Sequence, residues 1–360
     1  MLAATRPDLL VLRPSRGGAR FVSVKGRARI AARSAATRFA SALYHNPGGY
    51  RLLKAARVLR HPLEFARRRS ASRDSTPHEL LEVDDAEGYR WIDPTLIGGF
   101  TELWATVQSH LTRVRPEIAT WRQSKGEYHA TTFDLVGDED IDGLPALLEY
   151  ATSDELLRAV FSYLGEVPVL RRVSVGYSSR LGEPVTGSMQ YHLDGEDSRQ
   201  LKLFILLDEV SAERGPLHFY SARDTERILR SLPRERPAGP EVRAFGPWRD
   251  EDVERAAGHA PMVFTGGPGK GLLIDTSRCI HYGARVSDGH ERFVFMLAYR
   301  SLHSVNDTPF NVLRPDRFDD PVRRAVLQGT ERLPLGWFFP HPSLGPEARG
   351  GGGSEPVPTN

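Results

Sequence analysis

Cysteine, lysine and long apolar runs are scarce in this sequence, and each scarcity excludes a class of protein. Cys279 is the only cysteine among 360 residues, so no disulfide forms within the chain and no cysteine-based zinc ribbon can be assembled. A lone thiol two residues before His281 is expected as a core or near-site group in a reducing cytoplasm. No run approaches the roughly eighteen consecutive apolar residues of a membrane-spanning helix. Arginine outnumbers lysine 43 to 5, the mark of a GC-rich bacterial genome, in which organelle import has no place. Motifs for nucleic-acid binding, a CoA-binding signature and internal repeats are all missing. The glycines of Gly266-Gly-Pro-Gly-Lys-Gly271 suggest a phosphate loop, but Gly follows the lysine where Ser or Thr is needed. That segment reads instead as a turn between strands at 261–265 and 271–275.

The formal net charge of +2 conceals a division. Residues 1–73 hold 17 Lys plus Arg against 2 acids, or +15, which leaves 31 against 44, or −13, in the remainder. The leader has the Arg-, Ser- and Ala-rich, acid-poor composition of a transit peptide and lacks the apolar centre of a secretory signal. With import set aside, the expected location is cytoplasmic. Within the leader, Tyr50–Arg60 forms a short amphipathic helix that ends near His61-Pro62, and the basic run Arg67-Arg-Arg69 follows. Such a helix suits an anionic membrane surface, an acidic partner or the acidic remainder of its own chain.

The residue pattern with the most chemistry is His192-Leu193-Asp194, the only His-x-Asp/Glu triplet in the chain. Read as a strand end, Gln190–Asp194 places residues i and i+2 on one face, roughly 6.6 Å apart at about 3.3 Å rise per residue. Two neutral imidazoles and one carboxylate on a single octahedral face form the ligand set of non-haem Fe(II) oxygenases. His281, just after the apolar run Gly271–Asp275, is the candidate third ligand. Arg292 opens Arg292–Arg300, the most strand-like stretch, with Arg292, Val294, Met296 and Ala298 on one face. Its planar, permanently charged fork suits the distal carboxylate of 2-oxoglutarate, although an ordinary salt bridge is an equally simple use. Gln190, on the ligand face, is a candidate hydrogen-bond partner for the same co-substrate. His218, His290 and His303 lack ligand spacing.

From these residues the chain resembles the phytanoyl-CoA dioxygenase-like family of Fe(II)/2-oxoglutarate oxygenases. The resemblance is carried by Gln190-Tyr-His192-Leu-Asp194, Gln200–Leu207 with Asp208-Glu-Val210, Glu213-Arg-Gly215-Pro-Leu217, and Leu273-Ile-Asp275 through His281 to Arg292. It implies an all-β core with flanking helices (α+β), folded as a double-stranded β-helix of the jelly-roll or cupin-like kind. Iron would lie on His192, Asp194 and His281, and 2-oxoglutarate on Arg292. The reaction implied is O2-dependent oxidation, typically hydroxylation, of a small molecule or lipid-like metabolite. The family places an aromatic near the co-substrate at about Phe204, so Lys202, two residues earlier, shares the inward face and would meet 2-oxoglutarate or an acidic substrate. The alternative is a surface lysine at a sheet edge. Tyr220-Ser-Ala-Arg223 departs from the Gly-Ser-His often found in the family, which leaves the substrate side open. Related halogenases replace the carboxylate ligand with a small residue, so Asp194 favours hydroxylation. A cupin-like metal enzyme that does not use 2-oxoglutarate and a non-catalytic binding module are the rival readings.

The expected layout is a basic leader over 1–75, an oxygenase domain over 76–345 with a polar insertion at 221–260, and a flexible tail over 346–360. Helices are expected at 101–114, at 144–164 with a break near Ser153, whose hydroxyl would cap the second half, and at about 224–231. Strands are expected at 168–178, 186–194, 200–207, 215–220, 261–265, 271–276 and 291–300.

Overall fold

In a computed structural model, residues 47–73, 75–125, 132–179, 185, 187–232, 245–304, 311 and 313–328 are described. The expected tail over 346–360, the first part of the leader and the middle of the insertion lie outside the described residues. Two antiparallel sheets and flanking helices make the α+β architecture expected from the sequence. The larger sheet has the order β1-β7-β4-β9-β3-β2 and the smaller β6-β5-β8. Their strands are β1 (Tyr89–Ile92), β2 (Thr132–Asp134), β3 (Val169–Ser179), β4 (Gln200–Leu206), β5 (Leu217–Phe219), β6 (Met262–Phe264), β7 (Gly271–Ile274), β8 (His281–Tyr282) and β9 (Glu291–Arg300).

Strand β9 lies at the centre of the large sheet because its aromatic and branched side chains have partners on both edges, β3 and β4. Alternation gives it two different faces. Phe293, Phe295, Leu297 and Tyr299 are fully buried against α3 (Phe100–Lys125), α5 (Pro145–Ala151) and α6 (Asp154–Leu164), each large side chain contributing about 1.5–3 kcal/mol. On the opposite face Phe204, Leu206, Leu272, Ile274 and Val294 meet Leu217, Phe219 and Phe264 of the small sheet. Here Lys202, Phe204, Arg292, Val294 and Met296 keep partial solvent access, whereas their helix-facing neighbours in sequence do not. This second face is therefore the one that can receive a ligand. The outer face of the small sheet is covered by α7 (Ala222–Ser231) and α8 (Asp250–Ala257), which pack Ile228 and Val253 on Tyr191, Trp248 and Tyr282.

Several expectations are corrected. In place of the strand expected at 186–194, the described residues 187–194 have a 3-10 turn at Gly187–Met189, followed only by isolated bridges, Tyr191 to Trp248 and His192 to His281. The N–H groups of His192, Leu193 and Asp194 donate to His281, Phe245 and Thr276 respectively, so no single neighbouring strand builds a ladder. The first expected helix runs on through Val114 to Lys125 despite Pro116 within it. The break near Ser153 is real, and Ser153 is the N-cap of α6, but its hydroxyl donates to the Tyr150 carbonyl and caps nothing. Asp154 and Glu155 occupy the favourable first turn of that helix instead. A helix over Pro62–Ser72, where only a basic run is expected, is additional to the expected set, as are the short strands β1, β2 and β8 and the short helices α4 (Asp138–Gly143), α8 and α9 (Pro321–Leu327). These short elements carry too few residues for a periodic signal. No helix among the described residues is long and apolar enough to cross a membrane.

The described part of the leader forms α1 (Pro47–Arg60) and α2 (Pro62–Ser72) and docks on the rest of the chain. Tyr50 and Leu53 are buried against Phe245. Lys54 pairs with Asp197 at 2.7 Å, and Arg57 donates to the Ser304 carbonyl. Arg68 is buried and donates to the carbonyls of Val167, Pro168 and Ala325. Close to Lys54 and Arg68, burial raises the Glu166 carboxyl from 4.5 to about 6, against the pull of both cations. A folded-state value above the unfolded one means that the contribution of this group to stability is fully present below about pH 4.5 and is lost as pH rises through about 6. Glu166→Gln is therefore expected to raise the melting temperature at pH 8, by up to about 2 kcal/mol of stability, with the difference fading by pH 5. A difference that does not vary with pH would show that the carboxyl is not a titrating burden on the fold.

Candidate metal centre and co-substrate site

His192 and His281 exchange both backbone hydrogen bonds, at 2.9 and 3.0 Å. This pairing of a loop residue with the first residue of β8 sets their imidazole centroids 4.3 Å apart. Asp194 enters from the same segment as His192. Its Oδ1 lies 3.6 Å from His192 Nε2 and its Oδ2 3.8 Å from His281 Nε2. The three candidate ligand atoms lie within 4.8 Å of one another, a spacing that a single cation can bridge. The three residues singled out in the sequence as ligands are thus brought together.

The backbone prepares both imidazoles for this use. His192 Nδ1 contacts the Gln190 carbonyl at 2.8 Å, and His281 Nδ1 contacts the Cys279 carbonyl at 2.9 Å. Carbonyls only accept, so each Nδ1 carries the proton and each Nε2 keeps its lone pair for the site. Burial, reinforced by the neighbouring His192, pushes the His281 imidazole down to about 3, which keeps it neutral. For His192 burial acts downward too, but the hydrogen bond and charge of Asp194 outweigh it and the net shift is upward. Burial acts upward on Asp194, yet Lys202 and the two histidines hold its carboxyl well below the usual carboxylate range.

A buried carboxylate organises the turn between β7 and β8. Asp275 accepts from Tyr163 Oη at 2.8 Å, from Ser277 Oγ at 2.5 Å and from Ser277 N at 3.0 Å. Burial raises its carboxyl to about 6 in spite of these bonds. The turn it stabilises supplies the Thr276 carbonyl to Asp194 N and the Cys279 carbonyl to His281 Nδ1. Behind the ligands, Gly246 has φ +96°, and a Cβ there would meet the Tyr191 carbonyl at 2.9 Å and His192 Cα at 3.0 Å. Only glycine lets the insertion pass this close. Cys279 itself is fully buried, as a core thiol.

Arg292, at the start of β9, lies opposite Ser178 of β3. Its Nη2 donates to Ser178 Oγ at 3.3 Å and its Nη1 to the Gly215 carbonyl. Its Nε is buried without a hydrogen-bond partner. Among the described residues no carboxylate pairs with it, and burial alone pulls its guanidinium from 12.5 to about 10. The ordinary salt bridge left open by the sequence is not formed. Gly215, at φ +63°, could not carry a side chain, since a Cβ would lie 2.8 Å from the Arg285 backbone.

Lys202 and Phe204 point to this face, not to a solvent edge. Lys202 is opposite Ala298 and Phe204 opposite Met296. The Lys202 ammonium lies 2.6 Å from Asp194 Oδ2. The Arg292 backbone lies six residues along β9 from Ala298, about 20 Å at ~3.3 Å per residue, but its guanidinium reaches Gly283, two residues after His281, where a Cβ would lie 3.5 Å from Nη1. The Gln190 carbonyl steadies His192, and its side chain is half-exposed. His218 is not at the cluster: it stacks on Tyr282, centroids 4.5 Å apart.

Sequence reasoning did not foresee the Lys202–Asp194 pair, the Asp275 turn, Gly246, or Ser178 and Gly215 as supports of Arg292. A signal existed for two of them. Ser178 is opposite Arg292 once β3 and β9 are paired, and Gly215-Pro216 marks a tight turn.

At the level of sequence neither a family model nor a curated protein matches the chain. Among solved structures, the epimerase SnoN, determined with Fe3+, α-ketoglutarate and nogalamycin RO, is similar at 16% identity over 67% of this chain and 85% of that one, with a TM-score of 0.38. EctD from S. alaskensis, with 2-oxoglutarate and 5-hydroxyectoine, is similar at 15% identity over 65% and 81%, with a TM-score of 0.44. HygX from Streptomyces hygroscopicus, with nickel and 2-oxoglutarate bound, is similar at 16% identity over 63% and 87%, with a TM-score of 0.36.

Proposed function

We propose that this chain is an Fe(II)- and 2-oxoglutarate-dependent oxygenase whose two sheets are the halves of a double-stranded β-helix, related to the phytanoyl-CoA dioxygenase-like family. The observation that carries the reading is a His-Asp-His cluster held to the β4–β9 face of the large sheet through Lys202, with, on that same face, an arginine whose buried Nε has no partner and which no carboxylate of the described residues pairs with. The donor set fits ferrous iron: two neutral imidazole nitrogens and a carboxylate oxygen converge from one side. The orphaned Nε of Arg292 fits an incoming carboxylate, because a buried guanidinium without an anion is costly. Bound there, Fe(II) with 2-oxoglutarate and O2 supplies the oxidising power to break an unactivated C–H bond of a small molecule or lipid-like metabolite, with succinate and CO2 as co-products.

The residues of the chain do the rest. Arg292, steadied by Ser178 and Gly215, binds and orients the distal carboxylate of the co-substrate by charge-assisted hydrogen bonds. Lys202 holds Asp194 and lies at the ligand end, where it meets the oxoacid end of the co-substrate or an acidic substrate. Phe204 lies between the two cations and excludes water from the face, and Gln190 offers a further hydrogen bond. Asp194, a carboxylate and not a small residue, leaves hydroxylation favoured over halogenation. The enzyme would act in the cytoplasm.

The test is succinate formation and O2 consumption by the purified chain with Fe(II), ascorbate and 2-oxoglutarate. Fe(II)-dependent succinate is the expected result. O2 uptake without succinate would replace this reading with a cupin-like enzyme that has no oxoacid co-substrate, and loss of metal binding altogether would leave a non-catalytic module.

A further inference from the structure

The leader helices use one face for docking and leave the other unpartnered among the described residues. At 3.6 residues per turn, Tyr50, Leu53 and Arg57 share the docked face of α1, and Leu52, Ala55, Ala56 and Leu59 lie opposite. Leu52 is 61%, Leu59 77% and, on α2, Leu63 85% exposed. These are the three most exposed large hydrophobic side chains among the described residues. Basic groups are exposed on the same two helices and just after them: Arg51, Arg67, Arg69 and Arg73. The only acid on the two helices, Glu64, is already paired with Arg67 and Arg68.

We infer that the outer face of α1 and α2 is a docking surface for an anionic phospholipid bilayer, with Leu52, Leu59 and Leu63 entering the headgroup boundary and the arginines meeting lipid phosphates. Charge complementarity selects this occupant. The leader carries +15 over residues 1–73, so a second copy docked face to face would bring like charges together. A bilayer interface accepts scattered leucines and lets arginines snorkel to the headgroups. The placement has a structural consequence. The docked side of α1 packs Tyr50 on Phe245, ring centroids 6.0 Å apart, and a Cβ on Gly195, next to Asp194, would lie 3.0 Å from the Phe245 ring. A bilayer-bound α1 would thus be separated from the ligand segment by one aromatic side chain.

The experiment is flotation of the full chain with vesicles of phosphatidylcholine alone or of phosphatidylcholine and phosphatidylglycerol in equal parts, at low and high salt. Binding to the mixed vesicles at low salt, weakened by salt and by omission of phosphatidylglycerol, is expected. Leu59→Ser and Leu63→Ser should each weaken it about tenfold, and Arg67→Gln and Arg69→Gln each about fivefold. The melting temperature should stay unchanged, because all four side chains are exposed. Absence of binding, equal binding to neutral vesicles, or indifference to the leucine substitutions would overturn the inference. So would loss of self-association in the leucine variants with vesicle binding intact, which would assign the face to a second copy. Because metal-dependent succinate formation is measured without vesicles, failure here leaves the enzymatic reading standing.

Discussion

Arg292→Ala is expected to raise the Kd for 2-oxoglutarate by about 10- to 150-fold, the equivalent of about 1.5–3 kcal/mol for hydrogen bonds to a charged group, with Fe(II) affinity nearly unchanged. The hydrogen bonds of its side chain go to Ser178 and Gly215 and none goes to His192, Asp194 or His281, so its removal does not disturb the candidate ligands directly. Arg292→Lys keeps the charge, loses the planar fork, and should fall between the wild type and the alanine variant. An oxoacid lacking the distal carboxylate, such as 2-oxobutyrate, completes a double-mutant cycle. It should bind wild type and Arg292→Ala alike. If 2-oxobutyrate affinity falls as far as that of 2-oxoglutarate, the arginine acts through the fold and not on the carboxylate. Loss of its bonds to Ser178 and Gly215 will also lower the melting temperature, which is why the ratio between the two oxoacids, and not the bare affinity, decides.

His281→Ala should abolish Fe(II)-dependent turnover and weaken metal binding by more than the about 10- to 100-fold that loss of an outer partner costs. This variant is cleaner than one at Asp194, because it deletes a neutral group whose charged form burial already forbids. Asp194→Ala would in addition strand the half-buried Lys202, now 2.6 Å from its oxygen, and such an orphaned cation destabilises the fold by itself. A melting temperature close to wild type in His281→Ala, together with lost metal stoichiometry in anaerobic titration with Fe(II), is the outcome that supports the ligand role. Retained stoichiometry would remove His281 from the set and with it the facial arrangement.

Legibility differed from element to element for physical reasons. β9 is readable because aromatic and branched residues alternate over ten positions, with one face buried and the other in part open to solvent. The segment Gln190–Asp194 is not the expected strand: His192 and Asp194 converge as an i, i+2 pair would, but the N–H groups of residues 192–194 go to three separate acceptors, His281, Phe245 and Thr276. A ladder is a property of neighbours, and one-dimensional alternation does not reveal whether a neighbour exists. The amphipathic leader helix was legible from its own periodicity. Its docked face was not, since the acceptors of Lys54 and Arg57 lie at Asp197 and Ser304, more than a hundred residues away.

By itself the sequence determined which chemistry was available: one thiol and no disulfide, a lone His-x-Asp, a later histidine, and an arginine at the head of a strong strand. These are matters of residue type and local spacing, which the covalent chain carries wherever it goes. The tertiary structure decided which of these groups meet. Pairing His192 with His281 set three candidate ligand atoms within 4.8 Å, the Asp275 turn supplied the carbonyls that orient Asp194 and His281, and among the described residues Arg292 was left without an acid while Lys202 received one. Each depends on groups far apart in sequence meeting where water is thin, and the strength of a charge, the state of an imidazole and the cost of an unpaired guanidinium are all set by that surrounding, not by the residue alone.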